Sequence, residues 1–520
     1  MRKLLLASAA GLGVWGASDA AFAQATTTTT TTTVTPGYQQ PINPTTTMGG
    51  MALPAAASPN PGTIVVRLNG RVRFYAFWAD DRDGDNNAAG TSTGTVSATT
   101  GLGTATGGNK TNNYGFAEYA RLYPGFDGVA ANGLKYGANL EIRQDQNHSA
   151  GGGAFSSISA EGSQRGTLYF RRDWGYLGSN SFGTIRVGST DQPTSLYMTG
   201  NFENFDDGGL NGDLPGFMNQ AVAPIWPFQD VGNFYTTNKV VYLSPSFAGF
   251  DFGVSYEPST ANLSAQTGCG AGNYAGTNFT NPAGTFTAAS GANSSGATSP
   301  GCDRLSSSPS NAESARRKNT FDALIRYRGS FGPVGLAATA AYMGGGHVLD
   351  NQTGIPYNNN PLVGTLRRQY QGWDNGDFGV AVTIGGLSFG GKEYFGRYNG
   401  QGATTVTGVP DAHASLVGFS YTFPGMPLIV GAHGLLFESP GDLSNAYFGR
   451  DRREQGIASG ATYDIAPGVS LWLSGIYYER KQNGYNFVTG QTVSAATPGG
   501  NPYSNKVSGS IVAIGTAFSW

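Results

Sequence analysis

Reactive residue types are present in this chain, but few stand where they could act together. Gly90-Thr91-Ser92-Thr93-Gly94 has the spacing of a hydrolase nucleophile turn, which needs a strand before it and a helix after it to expose the hydroxyl. It lies in a Gly/Ser/Thr-rich stretch with neither, so acyl transfer is not expected. Gly11-Leu12-Gly13-Val14-Trp15-Gly16 matches a dinucleotide-binding turn but falls inside an apolar N-terminal segment. His148, His347, His413 and His433 are dispersed, without a partner at metal-ligand spacing, so neither a metal nor a cofactor is expected. Asp80, Asp81, Asp83 and Asp85 cluster like a calcium loop, yet the position that calls for glycine is Asn86. A solvated charged loop fits better there than a site for a divalent ion.

Cys269 and Cys302 are the chain's two cysteines. In an oxidising compartment they are expected to pair, closing a loop of roughly 34 residues and adding about 4 kcal/mol on a chain-entropy argument. The alternative is two unpaired thiols in a polar loop.

The chemistry is therefore sought in how the chain is laid out. Of 520 residues only 12% are charged, 80 are Gly, 26 Tyr and 29 Phe. A soluble domain carries about twice that charge. No run of ~18 apolar residues follows the first 25, which excludes a helical membrane protein. The net charge of −2 gives no electrostatic case for nucleic acid. At the N-terminus Arg2 and Lys3, the apolar run Leu4 to Gly16 and Ala21-Phe22-Ala23 make a secretory signal over residues 1–23. Residues 24–62 are rich in Thr, Pro and Gly and read as a flexible leader that cannot bury a core.

From Thr63 the texture becomes period two. Val66, Leu68, Val72, Phe74 and Trp78 share one parity; Arg67, Asn69, Arg71, Arg73 and Tyr75 share the other. That alternation places apolar groups on one face of a strand and basic groups on the opposite face. It recurs in about sixteen segments to Trp520, joined alternately by short turns and long polar loops. This is the layout of an all-β transmembrane antiparallel barrel over residues 63–520. An even strand count brings both ends of the sheet to one side, and joining first to last removes the edges that hydrocarbon would not tolerate.

Several segments resemble the general, trimeric diffusion porins of Gram-negative outer membranes. They are Tyr119-Ala120-Arg121-Leu122, Tyr136-Gly137-Ala138-Asn139-Leu140-Glu141, Trp174-Gly175-Tyr176-Leu177-Gly178, Phe182 to Gly188 and Asn238 to Pro245. The terminal pair of aromatics, Phe518 and Trp520, resembles the assembly signal of outer-membrane barrels, although most of those end in Phe. The resemblance implies a water-filled channel for passive diffusion of small hydrophilic solutes and ions. It also implies a homotrimer in contact with membrane lipid and lipopolysaccharide, inserted by the outer-membrane assembly machinery. It further implies that the third loop, about Asp191 to Tyr235, folds into the barrel, with Glu203, Asp206, Asp207 and Asp213 facing arginines on the wall. Parity places Arg67, Arg71, Arg73, Arg121, Lys135, Arg143, Arg186, Arg326 and Arg328 opposite apolar neighbours, with Arg71, Arg73, Arg121, Arg143 and Arg186 expected on the pore wall. Where the family often carries another arginine this chain reads Gly188-Ser189-Thr190, so the arginine ladder is not carried over whole. Arg171-Arg172 breaks the alternation, and one of the two is expected to point outward. The alternatives are a substrate-specific channel using aromatics such as Tyr75, Tyr119 and Trp226, or a non-conducting adhesin or anchor suggested by the large loop Ser259–Asn319. A barrel enzyme is disfavoured by the scarcity of histidine.

Overall fold

In the computed structural model the described residues are 59–81, 113–145, 169–202, 209–212, 214–218, 224, 226–228, 237–259, 317–347, 372–398, 410–440, 452–482 and 506–520, with two-residue pieces at 88, 109, 485 and 491. The signal segment, nearly all of the leader, Asp83, Asp85, Glu203, Asp206, Asp207, Asp213, Cys269 and Cys302 lie outside them.

Alternating sequence gives sixteen long strands: β1 (Thr63–Asp81), β2 (Tyr114–Val129), β3 (Lys135–Asp145), β4 (Tyr169–Ser179), β5 (Gly183–Ser189), β6 (Asn238–Leu243), β7 (Phe250–Ser259), β8 (Arg317–Phe331), β9 (Val334–His347), β10 (Trp373–Ile384), β11 (Leu387–Gly396), β12 (Ala412–Thr422), β13 (Leu428–Ser439), β14 (Arg452–Ala466), β15 (Val469–Gln482) and β16 (Lys506–Ser519). Each pairs antiparallel with its sequence neighbours, and β1 pairs with β16, so the sheet closes on itself. The seven even-to-odd connections from β2 to β15 are no longer than six residues; the other eight are long. Among the described residues no helix is long and apolar enough to cross a membrane.

Closure joins the two ends of the barrel sequence. The Gly70 amide donates to the Trp520 carbonyl and the Trp520 amide to the Gly70 carbonyl, both at 3.1 Å. A Cβ on Gly70 would stand 2.8 Å from Cε2 of the Trp520 ring, so a glycine is what lets the terminal indole lie against β1. Next along, Arg71 faces Ser519 and Phe74 faces Thr516.

A closed ring has two faces, and period two sorts the residues between them. Val66, Leu68, Phe74 and Trp78 on β1 are exposed, while Arg71, Arg73 and Tyr75 are buried. The exposed apolar face suits hydrocarbon, and aromatics such as Trp78, Phe116 and Phe321 at one end and Phe250, Phe331 and Phe518 at the other suit its two interfaces. Alternation blurs where the opposite face is itself apolar. Ile511 and Ala513 on β16, Ile476 on β15, Ala458 on β14 and Phe437 on β13 are all buried in one cluster with Leu210, Leu214 and Trp226 of the third long connection.

Candidate functional site

The polar face of β1 to β5 is crowded with guanidinium groups. The register sets Arg71 opposite Arg121 and Arg121 opposite Arg143, a row of like charges that a sheet does not favour without further support. Part of that support is aromatic. The Tyr119 ring has Arg121 at 4.3 Å, Arg71 at 5.1 Å and Arg73 at 5.9 Å from its centroid, and Arg73 also stands 5.6 Å from Trp472. Such contacts are attractive because a ring face is electron-rich. Arg186 lies over Trp174 at 4.4 Å. Arg71, Arg73, Arg121 and Arg143 are buried on this face. Lys135 instead donates to Asn180 at an exposed turn, and the partly exposed Arg328 pairs with Asp251 at 3.0 Å.

Carboxylates supply the rest. Glu141 contacts Arg143 at 2.6 Å, Arg171 at 3.3 Å, and Arg172. Arg172 also binds Asp191 through Nε and Nη2, the latter at 2.7 Å. Here the structure corrects the expectation that one of Arg171 and Arg172 points outward. The register runs from Glu141 opposite Arg172 to Ile142 opposite Phe170, skipping Arg171. The extra residue is a β-bulge, which re-aims a side chain, and both arginines reach Glu141 while Phe170 takes the outward position. Further round the ring the charges are balanced within the wall: Arg326 with Asp251 at 2.8 Å, Lys392 with Asp377 at 2.7 Å, and Arg452 with Glu454 at 2.7 Å. On β1 to β5, by contrast, eight arginines (67, 71, 73, 121, 143, 171, 172 and 186) stand beside Asp127, Glu141 and Asp191.

The third long connection, residues 190–237, makes specific contacts with many strands. At its start Lys239 donates to the Thr190 carbonyl at 3.0 Å. A short helix, α1 (Pro193–Leu196), follows. Asp322 on β8 accepts from the Thr194 amide at 2.9 Å and its hydroxyl at 2.5 Å, and Leu196 packs on Val241 and Leu243 of β6. Tyr197 lies under Arg326, with Cζ 3.8 Å from the ring centroid. Next the backbone runs onto glycines of the wall. A Cβ on Gly379 would stand 2.8 Å from the Thr199 carbonyl carbon, and one on Gly200 2.6 Å from the Gly391 carbonyl carbon. Then Phe202 and Leu210 bond to His433 on β13. Phe217 stacks on Phe77 at 4.7 Å, and Phe228 meets Tyr394.

Parity could have found Asp322, which shares a face with Arg326, and the carboxylates Glu141, Asp377 and Glu454. His433 carried no such signal, since its importance comes from what reaches it from far along the chain. Among the described residues no group of three His, Cys, Asp or Glu is placed to hold a metal ion.

A family model described as Gram-negative porin matches residues 44–484. Solved structures with a similar fold include a porin at 12% identity and TM-score 0.42, covering 88% of this chain and 100% of that one. An outer-membrane protein of Vibrio cholerae, OmpT in a trimer form, is 13% identical with TM-score 0.45, covering 88% and 99%. A mutant porin of Rhodopseudomonas blastica is 14% identical with TM-score 0.42, covering 88% and 100%. No curated protein matches the chain.

Proposed function

Since this chain belongs to the Gram-negative porins, we propose that its third long connection lies within the barrel and sets the size and charge of what passes. The protein is an outer-membrane channel for passive diffusion, and family and fold together point to a channel rather than an enzyme. One observation carries the constriction reading. The described residues of 190–228 contact β6, β8, β10, β11, β13 and β1 through the face turned away from hydrocarbon. Strands so far apart around a closed ring are within reach of one segment only from inside it.

The passage is then bordered by the arginine-rich arc of β1 to β5 and by the connection that carries Glu203, Asp206, Asp207 and Asp213. Fixed charges in a narrow, low-dielectric opening act far more strongly than on an open surface. Opposed charges orient water across it, which disfavours apolar solutes. The rival reading, a substrate-specific channel, needs ring faces open to solute, whereas Tyr75, Tyr119 and Trp226 are buried. The loop on which an adhesin reading would rest lies outside the described residues.

The reading extends to the surroundings. Residues 1–23 act as a cleaved signal, residues 24–62 as a periplasmic leader, and Phe518 with Trp520 as the signal read by the assembly machinery. Three copies associate, as in the trimer form of the Vibrio protein. On the outer face, paired charges at the strand ends beside the long connections suit lipid or lipopolysaccharide headgroups. Examples are Arg397 with Asp374 at 3.0 Å and Lys506 with Glu479 at 2.7 Å. Planar-bilayer recording of refolded protein tests the whole. Stepwise conductance with a solute-size cutoff is expected, and a membrane left silent by well-folded protein would refute it.

A further inference from the structure

His433 is fully buried on β13, on the face turned away from hydrocarbon, and both of its ring nitrogens are engaged by the third long connection. The Leu210 amide, which can only donate, points at Nε2 at 3.3 Å. Nε2 is therefore the acceptor, and Nδ1 carries the proton it donates to the Phe202 carbonyl at 3.1 Å. The imidazole is neutral and held in one tautomer. The turn at Gly209 (φ +58) seats directly over it: a Cβ there would lie 2.7 Å from Cε1 and 2.9 Å from Nε2. The Trp226 ring is also a neighbour, tilted against the imidazole with its centroid 6.1 Å away.

Filling space would not require this residue. A leucine or phenylalanine would fill the same space without satisfying a backbone carbonyl and an amide at once. Phe202 and Leu210 belong to two separate parts of the third connection, one leading on from α1 and the other at the turn of Gly209. One side chain of the wall thus holds two separate parts of the connection.

We propose that His433 is a positioning residue. It clasps the backbone at Phe202 and Leu210 and so holds the third connection against β13, which sets the channel's exclusion limit and ion preference. This rests on reading that connection as the constriction. Loss of the clasp leaves a buried carbonyl and a buried amide without a partner, a penalty large enough to raise the population of displaced segments by about tenfold or more.

The test uses full-length refolded protein in planar bilayers, with polyethylene glycols of graded size as neutral probes and a potassium chloride gradient for ion preference. His433→Ala should broaden the conductance histogram, admit larger polymers and shift the permeability ratio. His433→Gln, whose carboxamide offers both an N–H donor and a carbonyl acceptor, should restore most of the wild-type behaviour. Gly209→Ala approaches the same contact from the connection and should act like His433→Ala, which keeps the proposal testable if the alanine variant at 433 fails to fold. Imidazole nitrogen shifts in wild-type protein should report the Nδ1-protonated tautomer, and the Leu210 amide should lose exchange protection in His433→Ala. Folded alanine variants indistinguishable from wild type, or alanine and glutamine variants altered equally, would overturn the clasp. A wild-type barrel that does not conduct would instead sink the channel reading, leaving tautomer and exchange to decide the clasp alone.

Discussion

Gly200→Ala separates the third connection from the barrel that holds it. Gly200 has φ +82, a conformation that costs an L-residue about 1–2 kcal/mol. Its new methyl group would also meet backbone, 2.6 Å from the Gly391 carbonyl carbon and 3.1 Å from the Val380 carbonyl oxygen. Overpacking of this kind costs about 1–3 kcal/mol. Val380 and Gly391 face each other in the β10–β11 ladder, so neither can move without breaking pairs on both sides. The connection should yield first. Together the two effects come to about 2–5 kcal/mol, enough to favour the displaced segment by about 30-fold to several thousandfold at ten-fold per 1.4 kcal/mol. Gly133→Ala is the control. It stands at φ +84 in a short turn with nothing within 4 Å of its Cβ, so it carries the strain without the collision. Conductance, polymer exclusion and heat-modifiable gel mobility should be compared in refolded protein. Gly200→Ala is expected to keep the folded-barrel mobility and change conductance and exclusion; Gly133→Ala is expected to change neither. A Gly200→Ala channel with wild-type conductance and cutoff would mean that the contact of Gly200 with β10 and β11 does not govern the passage.

Other expectations follow from the same geometry. Arg172→Ala leaves Asp191 buried without its two-nitrogen partner and removes one of the three arginines on Glu141, which should cost about 3–5 kcal/mol and lower the temperature at which the barrel loses its folded mobility; Arg172→Lys, lacking the planar fork, should rescue only partly. Gly70→Val drives a side chain into the Trp520 ring and should slow folding into vesicles and alter indole fluorescence, with the sixteen-strand barrel formed once folding is complete. Replacing Asp206 and Asp207 with Asn should shift the permeability ratio toward anions, because the arginine arc is then opposed by fewer charges; an unchanged ratio would place those residues away from the passage.

The barrel was legible because period two is a local property. Each of the sixteen segments carries its own alternation, the short turns carry their own punctuation, and a hydrocarbon surround permits no open edge. Even the seam between Trp520 and β1 follows from strand count and closure. The burial of these arginines was readable in the same way, since parity alone puts Arg71, Arg121 and Arg143 opposite apolar neighbours, and all three are buried. What parity could not supply is anything that depends on register or on distant chain. A skipped residue in the β3–β4 pairing brings Arg171 and Arg172 to one carboxylate, and no count along β4 contains that bulge. His433 reads as an isolated histidine until Phe202 and Leu210, more than two hundred residues away, arrive at its two nitrogens. Sequence determined the ring, its two faces and the arginines on the inner one, because those follow from neighbours along the strand. Tertiary structure alone decided how the third connection is held against that ring, because its anchors are backbone groups, glycine recesses and one imidazole that meet only after the barrel has closed.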